Sequence, residues 1–454
     1  MMKKNLGREN AAVELPMAGP VADAPRWVLL ALLFIYCALT LLLIVRVPLG
    51  AAPDETNHIY YVEHLASVRA LPVFKPEGGN ANPGYEFHQP PLYYTLCAVL
   101  WSQTGAGVQN YLCRIVSLVF GTATLILLWH AMRAALPGQP NLTILATGVA
   151  ALLPLHQAIG AAASNDAAAG FFCALIFLLI ARGTAEKWTT ATSIWMGLAI
   201  GLGILSKMSC LSVGIVGLGA ACHIAWRQSE PPARWKHVLP TFAIVATVSI
   251  LVCGWWLVRN TSLYGDPLAM KVFEEAFGNS SSRTAAFLER GTPLTTYIRA
   301  LLLAMFCTTW GLFGGVNTAL GILNPFSSRG PLPEAIPALL PMAVLALTTV
   351  AVIAGLIRWT KENDTPPAQR AVWLWWLLGT LVVWLAWLSF NLSYFQGQAR
   401  YVHPSLVPLV GAWAIGWYTI AFASPKRGWV LSGLFALLLI GLTLWNGLGW
   451  QTLV

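Results

Sequence analysis

Charge is what this sequence has least of. Only 10% of its 454 residues are Asp, Glu, Lys or Arg, against about 25% in an ordinary soluble domain, which excludes a water-soluble globular chain. Nucleotide-binding loops are also missing: there is no GxxxxGK followed by Ser or Thr, and no GxGxxG after a strand. The eight cysteines (Cys37, Cys97, Cys113, Cys173, Cys210, Cys222, Cys253 and Cys307) form no CxxC or CxxH pair. That pattern argues against a zinc cluster or a disulfide scaffold and for small core residues. The net charge of +9 does not mark a nucleic-acid binder, because Lys and Arg sit mostly beside apolar runs, where membrane orientation places them.

What the chain has in abundance is apolar sequence. Hydrophobic residues make up 57%, and runs such as WVLLALLFIYCALTLLLIV at 27–45 match the roughly 20 residues needed to cross about 30 Å of hydrocarbon. There are many such runs, so the expected class is an all-α polytopic membrane protein. The basic start MMKKNLGREN lacks a small-residue cleavage site after the first run, and 27–45 reads as an uncleaved anchor. The 21 tryptophans suit many membrane boundaries.

With Lys and Arg taken as cytoplasmic markers, eleven transmembrane helices are expected. They are 27–45, 112–132, 141–159, the helix capped by Ser164-Asn165-Asp166 and ending at Arg182, 189–205, 209–226, 238–257, 336–357, 371–390, 404–422 and 429–447. The count requires that 90–101 and 299–315 do not cross, and interfacial helices are expected in the first outer loop. The expected organisation is a cytoplasmic tail (1–26), an N-terminal catalytic module (27–258) containing the outer loop 46–111, a second outer loop (259–335) and a C-terminal module (336–454).

The scarce polar groups are unevenly spread. The first loop, with AAPDETNHIYYVEHL, Glu77 and the later EFHQPPLYY, holds five of the 18 acids and three of the eight histidines. Asp54, Glu55, Glu86, His88, Asp166, Lys207, Arg259 and Arg400 all fall on the outer face in this topology. Ionisable groups gathered at one face of a membrane protein mark a functional site by default. The plain alternatives are a helix N-cap for Asp54 and a snorkelling flank for Arg259. His130, His156, His223 and His237 read as ordinary interfacial histidines.

An Asp-Glu just after the first span, followed by an acid or His before x-Pro-Pro-Leu-x-Tyr, resembles the GT-C glycosyltransferases. Within them it is similar to the branch of protein O-mannosyltransferases and the lipid A aminoarabinose transferase. SNDAAAG, Gly203-x-x-Ser206-Lys207, WWLVRNTSLYGDPL, WGLFG and QGQARYVHPSLVPL extend the resemblance over most of the chain. It implies the GT-C fold and a membrane glycosyltransferase that moves a sugar from a polyprenyl-phosphate donor. The acceptor would be a lipid, polysaccharide or protein, and the active site would face the exterior or periplasm from the cytoplasmic (inner) membrane. It also implies Asp54 as catalytic base, with Asp166 as the second acid. A metal-holding acid before the Pro-Pro is replaced here by His88, with Glu86 two residues earlier, so the expected cofactor is a divalent ion, zinc or magnesium, or none.

The residues support this chemistry directly. An ionised Asp can take the acceptor's proton, an effect of about 10²- to 10⁴-fold. Adjacent Asp54 and Glu55 point about 100° apart on a helix, so only one can serve a given atom. The leaving phosphate calls for Arg400, Lys207 and Arg259, Arg offering a bidentate fork. Glu55, His58, Tyr61, Gln89, Tyr93, Tyr401 and His403 are candidate pocket residues. The partners are then the lipid-linked donor, an acceptor and membrane lipids, with no nucleic acid. The competing readings are a flippase for lipid-linked sugars, disfavoured by the near absence of mid-span charges, a glycan polymerase or ligase of the same fold, and a non-catalytic scaffold.

Overall fold

A computed structural model describes residues 23–79, 82–102, 108–280, 282–311, 336–362 and 366–449. Most of the expected cytoplasmic tail, the end of WGLFG and the rest of the second loop up to 335 lie outside the described residues.

The apolar runs form helices where composition places them. Helix α1 (Arg26–Arg46) is followed by α2 (Glu55–Val68) and α3 (Leu92–Trp101), with a 3-10 turn at Tyr85–His88 between those two. Then come α4 (Gln109–Ala135), α5 (Pro140–Leu152), α6 (Pro154–Ala161), α7 (Asp166–Ala185), α8 (Thr190–Ser206), α9 (Cys210–Arg227) and α10 (Arg234–Tyr264). Among the described residues nine helices are long and apolar enough to cross a membrane, or ten if the bent pair α5–α6 counts as one span. The protein is a multi-pass membrane protein. The one remaining expected span, 189–205, forms the apolar α8 of 17 residues. The two stretches expected not to cross form the 10-residue α3 and a 16-residue helix at Leu294–Thr309. At 1.5 Å per residue these are about 15 and 24 Å long, short of the hydrocarbon thickness.

Packing divides the helices into inner and outer members. Helix α7 is the most enclosed span, and α1 and Leu339–Lys361 turn most of their surface outward, as lipid-facing helices do. Small residues permit close approach: a Cβ added at Gly197 or Gly201 of α8 would lie 2.7 Å from the Cβ of Val248 or Val252 on α10. Lipid is as apolar as the helices, so such close backbone contact supplies much of their adhesion. Helices α5 and α6 meet at a 52° bend where Pro154 opens α6; proline cannot donate to the preceding turn, and the chain breaks there.

One buried cation fixes the start of the first loop. Arg114 of α4 is fully buried and donates from Nη1 to the carbonyls of Ile44 and Val47, each at 2.8 Å, and from Nη2 to that of Pro48 at 2.9 Å. These are carbonyls at the C-terminal end of α1, which have no intrahelical donors. The same guanidinium grips Glu55 in a fork, Nε to Oε1 and Nη2 to Oε2, both at 2.7 Å. Glu55 also accepts from the backbone amides of Gly50 (2.8 Å) and Ala163 (2.9 Å). The loop is thereby tied to α1, to α4 and to the segment before α7.

Candidate active site

Because Glu55 is tied inward, its neighbour turns the other way. Asp54 adopts φ 61°, ψ 3°, the left-handed region that Asp tolerates better than most residues. It occupies the position before α2 but makes no side-chain cap bond, so the N-cap reading does not hold. Its carboxylate instead pairs with Nη2 of Arg400.

Four charges from distant parts of the sequence meet there. Arg400 lies in a 3-10 segment, Ala399–Ser405, between the helices Pro367–Asn391 and Leu406–Ala421. Its Nη1 stands 3.7 Å from Asp166 Oδ2. Lys207, just past the end of α8, donates to Asp166 Oδ1 at 2.5 Å. Both cations lie over the ring of Tyr401, at 5.0 Å for Arg400 and 5.7 Å for Lys207. Two carboxylates and two cations give a neutral cluster. Asp54 is its open member, with a third of its side chain exposed, whereas Asp166 is at 5%. Ser164 Oγ donates to Asp166 at 3.1 Å. Asn165, expected to help cap α7, instead directs its side chain to Gln89 and the carbonyl of Ser206.

Burial works against ionising Asp54, but the positive charge of Arg400, the nearby His58 and a hydrogen bond from Tyr85 outweigh it and hold the carboxyl below its ordinary value. Asp54 is therefore a carboxylate throughout the neutral range. Glu86 behaves oppositely: it is buried, its Oε2 has no hydrogen-bond partner among the described residues, and burial pushes its pKa up despite His58. Burial also lowers His58, whose Nδ1 lies 2.8 Å from the hydroxyl of Tyr94 and 4.0 Å from Glu86 Oε2.

A cavity of about 300 Å³ opens beside the cluster. Leu43 of α1, Val47 just past its end, and Leu155 and Ile159 of α6 form apolar wall, while Asp166 and Arg400 supply the charged part of the lining. An apolar chamber with convergent charged groups is the usual form of a small-molecule site.

Several expected residues stand elsewhere. Glu55 is not a pocket residue but the fully buried partner of Arg114. Tyr93 is also fully buried, its hydroxyl on the Cys113 carbonyl (3.0 Å) and Ser117 Oγ (2.8 Å). Tyr61 stacks on Tyr94 at 4.0 Å. Arg259 donates to the Pro72 carbonyl at 2.7 Å and lies over Trp256, making no contact with the four-charge cluster. His88 does not fit a metal ligand: its Nδ1 faces the Tyr85 carbonyl at 2.6 Å and its Nε2 faces the Gln89 amide at 3.1 Å. Burial lowers its pKa to about 4, leaving it neutral. Among the described residues no three His, Cys, Asp or Glu side chains are grouped to hold an ion.

Two features escaped sequence reasoning. Arg114 sits in the second turn of an otherwise apolar stretch of α4, and a cation so placed is itself a signal of a buried acid nearby. His156 is not interfacial: it is 1% exposed and its Nδ1 lies 3.0 Å from His403 Nε2. The other nitrogen of His156 faces the Gly121 carbonyl at 3.2 Å. A carbonyl only accepts, so His156 carries its proton on Nε2 and His403 donates to it. A Cβ at Gly170 would stand 2.4 Å from His403 Cε1, so glycine there makes room for the ring.

No protein-family model and no curated protein matches the sequence. Solved structures do match. The archaeal oligosaccharyltransferase AglB from Archaeoglobus fulgidus, in complex with an inhibitory peptide and a dolichol-phosphate, aligns at 14% identity over 93% of this chain and 55% of that one, with a TM-score of 0.50. The same organism's oligosaccharyltransferase in complex with Zn and sulfate gives 14%, 92%, 53% and 0.50. The chain has the GT-C fold. ArnT from Cupriavidus metallidurans, bound to undecaprenyl phosphate, aligns at 13% identity over 90% of this chain and 62% of that one, with a TM-score of 0.49. The chain thus spans about half the length of AglB and about three fifths of ArnT. In the GT-C fold of this chain, the four-charge cluster is built from the first loop, the start of α7, the end of α8 and the segment before Leu406–Ala421.

Proposed function

We propose that this protein is a membrane glycosyltransferase that moves a sugar from a polyprenyl-phosphate donor to an acceptor at the exterior face of the cytoplasmic membrane. The observation that carries this reading is the pairing of Asp54 with Arg400, a cation that lines a mostly apolar cavity. AglB, which shares the fold, was solved with a dolichol-phosphate, and that likeness supports a lipid-linked donor.

In the proposed reaction the donor phosphate takes Arg400 and Lys207, groups already held in place by Asp166. The phosphate competes with Asp54 for Arg400 and so releases the carboxylate. The acceptor's oxygen attacks the anomeric carbon from the face opposite the phosphate, inverting it, and the proton passes to Asp54. The C1–O bond breaks, its electron pair leaves with the polyprenyl phosphate, and the two cations stabilise the developing charge. Asp166 keeps the cations oriented. No step runs through a metal.

The 52° break between α5 and α6 favours a second reading, lipid flipping, since transporters use broken helices. One experiment tests both. Purified protein in sealed vesicles receives radiolabelled polyprenyl-phosphate sugars on one face, with native membrane extract as acceptor. Transfer from the exterior face that Asp54→Asn abolishes supports the transferase. Movement of label between leaflets without transfer supports the flippase and overturns the transferase.

A further inference from the structure

Among the described residues, the cavity lining includes a neutral side chain whose buried oxygen has no partner. Thr308 Oγ1 accepts from the Ala399 amide at 2.8 Å, and Gln396 Oε1 accepts from the Tyr401 hydroxyl at 3.0 Å. Thr443 donates to Gln157 at 2.6 Å, and Asn446 donates to the Leu442 carbonyl at 2.9 Å. Ser164 is bound to Asp166. Gln398 also lines the cavity, two residues before Arg400, yet its Oε1 is buried without a hydrogen-bond partner among the described residues.

A stranded amide oxygen is an unfavourable arrangement, and such exceptions call for a physical reason. Here the reason lies in its place. The amide has a donor and an acceptor on one plane, and its last torsion has a broad, shallow profile, so it can turn either group to a guest in the cavity. Arg400 offers charge for a phosphate, and the leucine, isoleucine and alanine walls offer apolar contact. A sugar hydroxyl can donate to the stranded oxygen and accept from the amide N–H, so a neutral amide at that spot suits the sugar end of such a guest.

We propose that Gln398 is the specificity residue for the donor's sugar, hydrogen-bonding one ring hydroxyl while Arg400 holds the phosphate. This rests on the reading of the chain as a transferase of a lipid-borne sugar. A site built to bond a hydroxyl rejects the analogue lacking it, because the buried partner is then left unpaired.

The test measures binding of two lipids to the full chain in nanodiscs: polyprenyl phosphate alone, and polyprenyl phosphate carrying the sugar that binds most tightly from a hexose and pentose panel. Gln398→Met is expected to bind the bare lipid within about twofold of the native protein and the sugar-bearing lipid about tenfold more weakly. One singly deoxygenated sugar should lose about tenfold on the native protein and nothing further on the variant, the signature of a shared contact. Equal weakening of both lipids, or no deoxy position whose loss the variant absorbs, overturns the assignment. If Gln398→Met does not fold, Gln398→Asn, which keeps the amide but draws it back, is measured on the same lipids with the same criteria. If the native protein binds no polyprenyl phosphate at all, the transferase reading itself falls, a failure distinct from that of Gln398.

Discussion

Two ionic centres sit one peptide bond apart in this protein and are built on opposite plans. At Glu55 every oxygen is engaged, by Arg114 and by two backbone amides, with no solvent contact. At Asp54 the carboxylate is a third exposed and held chiefly by Arg400, a cation shared with Asp166. The first plan fixes a backbone; the second leaves a charge that can be exchanged. Saturated bonding marks a structural ion pair, and shared, partly open bonding marks a site where a ligand can enter.

The contrast can be broken at several points. The largest effect is expected at Asp54: Asp54→Asn should cut sugar transfer by about 10²- to 10⁴-fold while leaving the melting temperature in detergent near native. Loss of fold instead would place Asp54 with Glu55. Next, Glu55→Gln or Arg114→Met should destabilise the protein by about 3–5 kcal/mol, since each strands a buried charge or polar partner. Replacing both by apolar residues should recover much of that loss, read by thermal unfolding. Arg400→Ala should weaken binding of polyprenyl phosphate by about ten- to a hundredfold, with little change in acceptor KM; an effect confined to the acceptor would remove Arg400 from the phosphate.

The smallest effects concern pH. Asp54 has a lowered pKa, so its charge is complete above the ordinary value of 3.8 and is lost only as pH falls through the lower folded value. Transfer should therefore show no fall between pH 7 and pH 5 that Asp54→Glu abolishes. Glu86 has a raised pKa, so the folded state holds its proton more tightly than the unfolded chain. Stability from this group is greatest below 4.5 and declines as pH rises toward the folded value. Glu86→Gln should flatten that slope in a melting series, and an unchanged slope would show that Glu86 is not its source.

Much of this architecture was legible in the sequence because membrane helices announce themselves by length and apolarity alone. The collection of Asp54, Asp166, Lys207 and Arg400 at one end of the bundle was also legible, since charge placement sets which end each loop occupies. Which of two adjacent acids joins Arg400 in the charged cluster was not. That choice depends on Arg114, a residue 59 positions away, and no local pattern encodes a pairing at that range. The histidine pair failed for the same reason: His156 and His403 are separated by 247 residues and meet only through packing. Arg259 was assigned by side and type, and sidedness cannot tell a phosphate ligand from a residue stacked on its own helix's tryptophan.

The positive φ of Asp54 has a consequence for any survey of substitutions there. Asn and Gly can hold the left-handed turn, but β-branched residues enter it as steric outliers, with a penalty of about 1–3 kcal/mol. Tolerance at position 54 would thus sort first by backbone geometry and only then by acidity. A threonine or valine that abolished turnover would report a reshaped turn as readily as a missing proton acceptor.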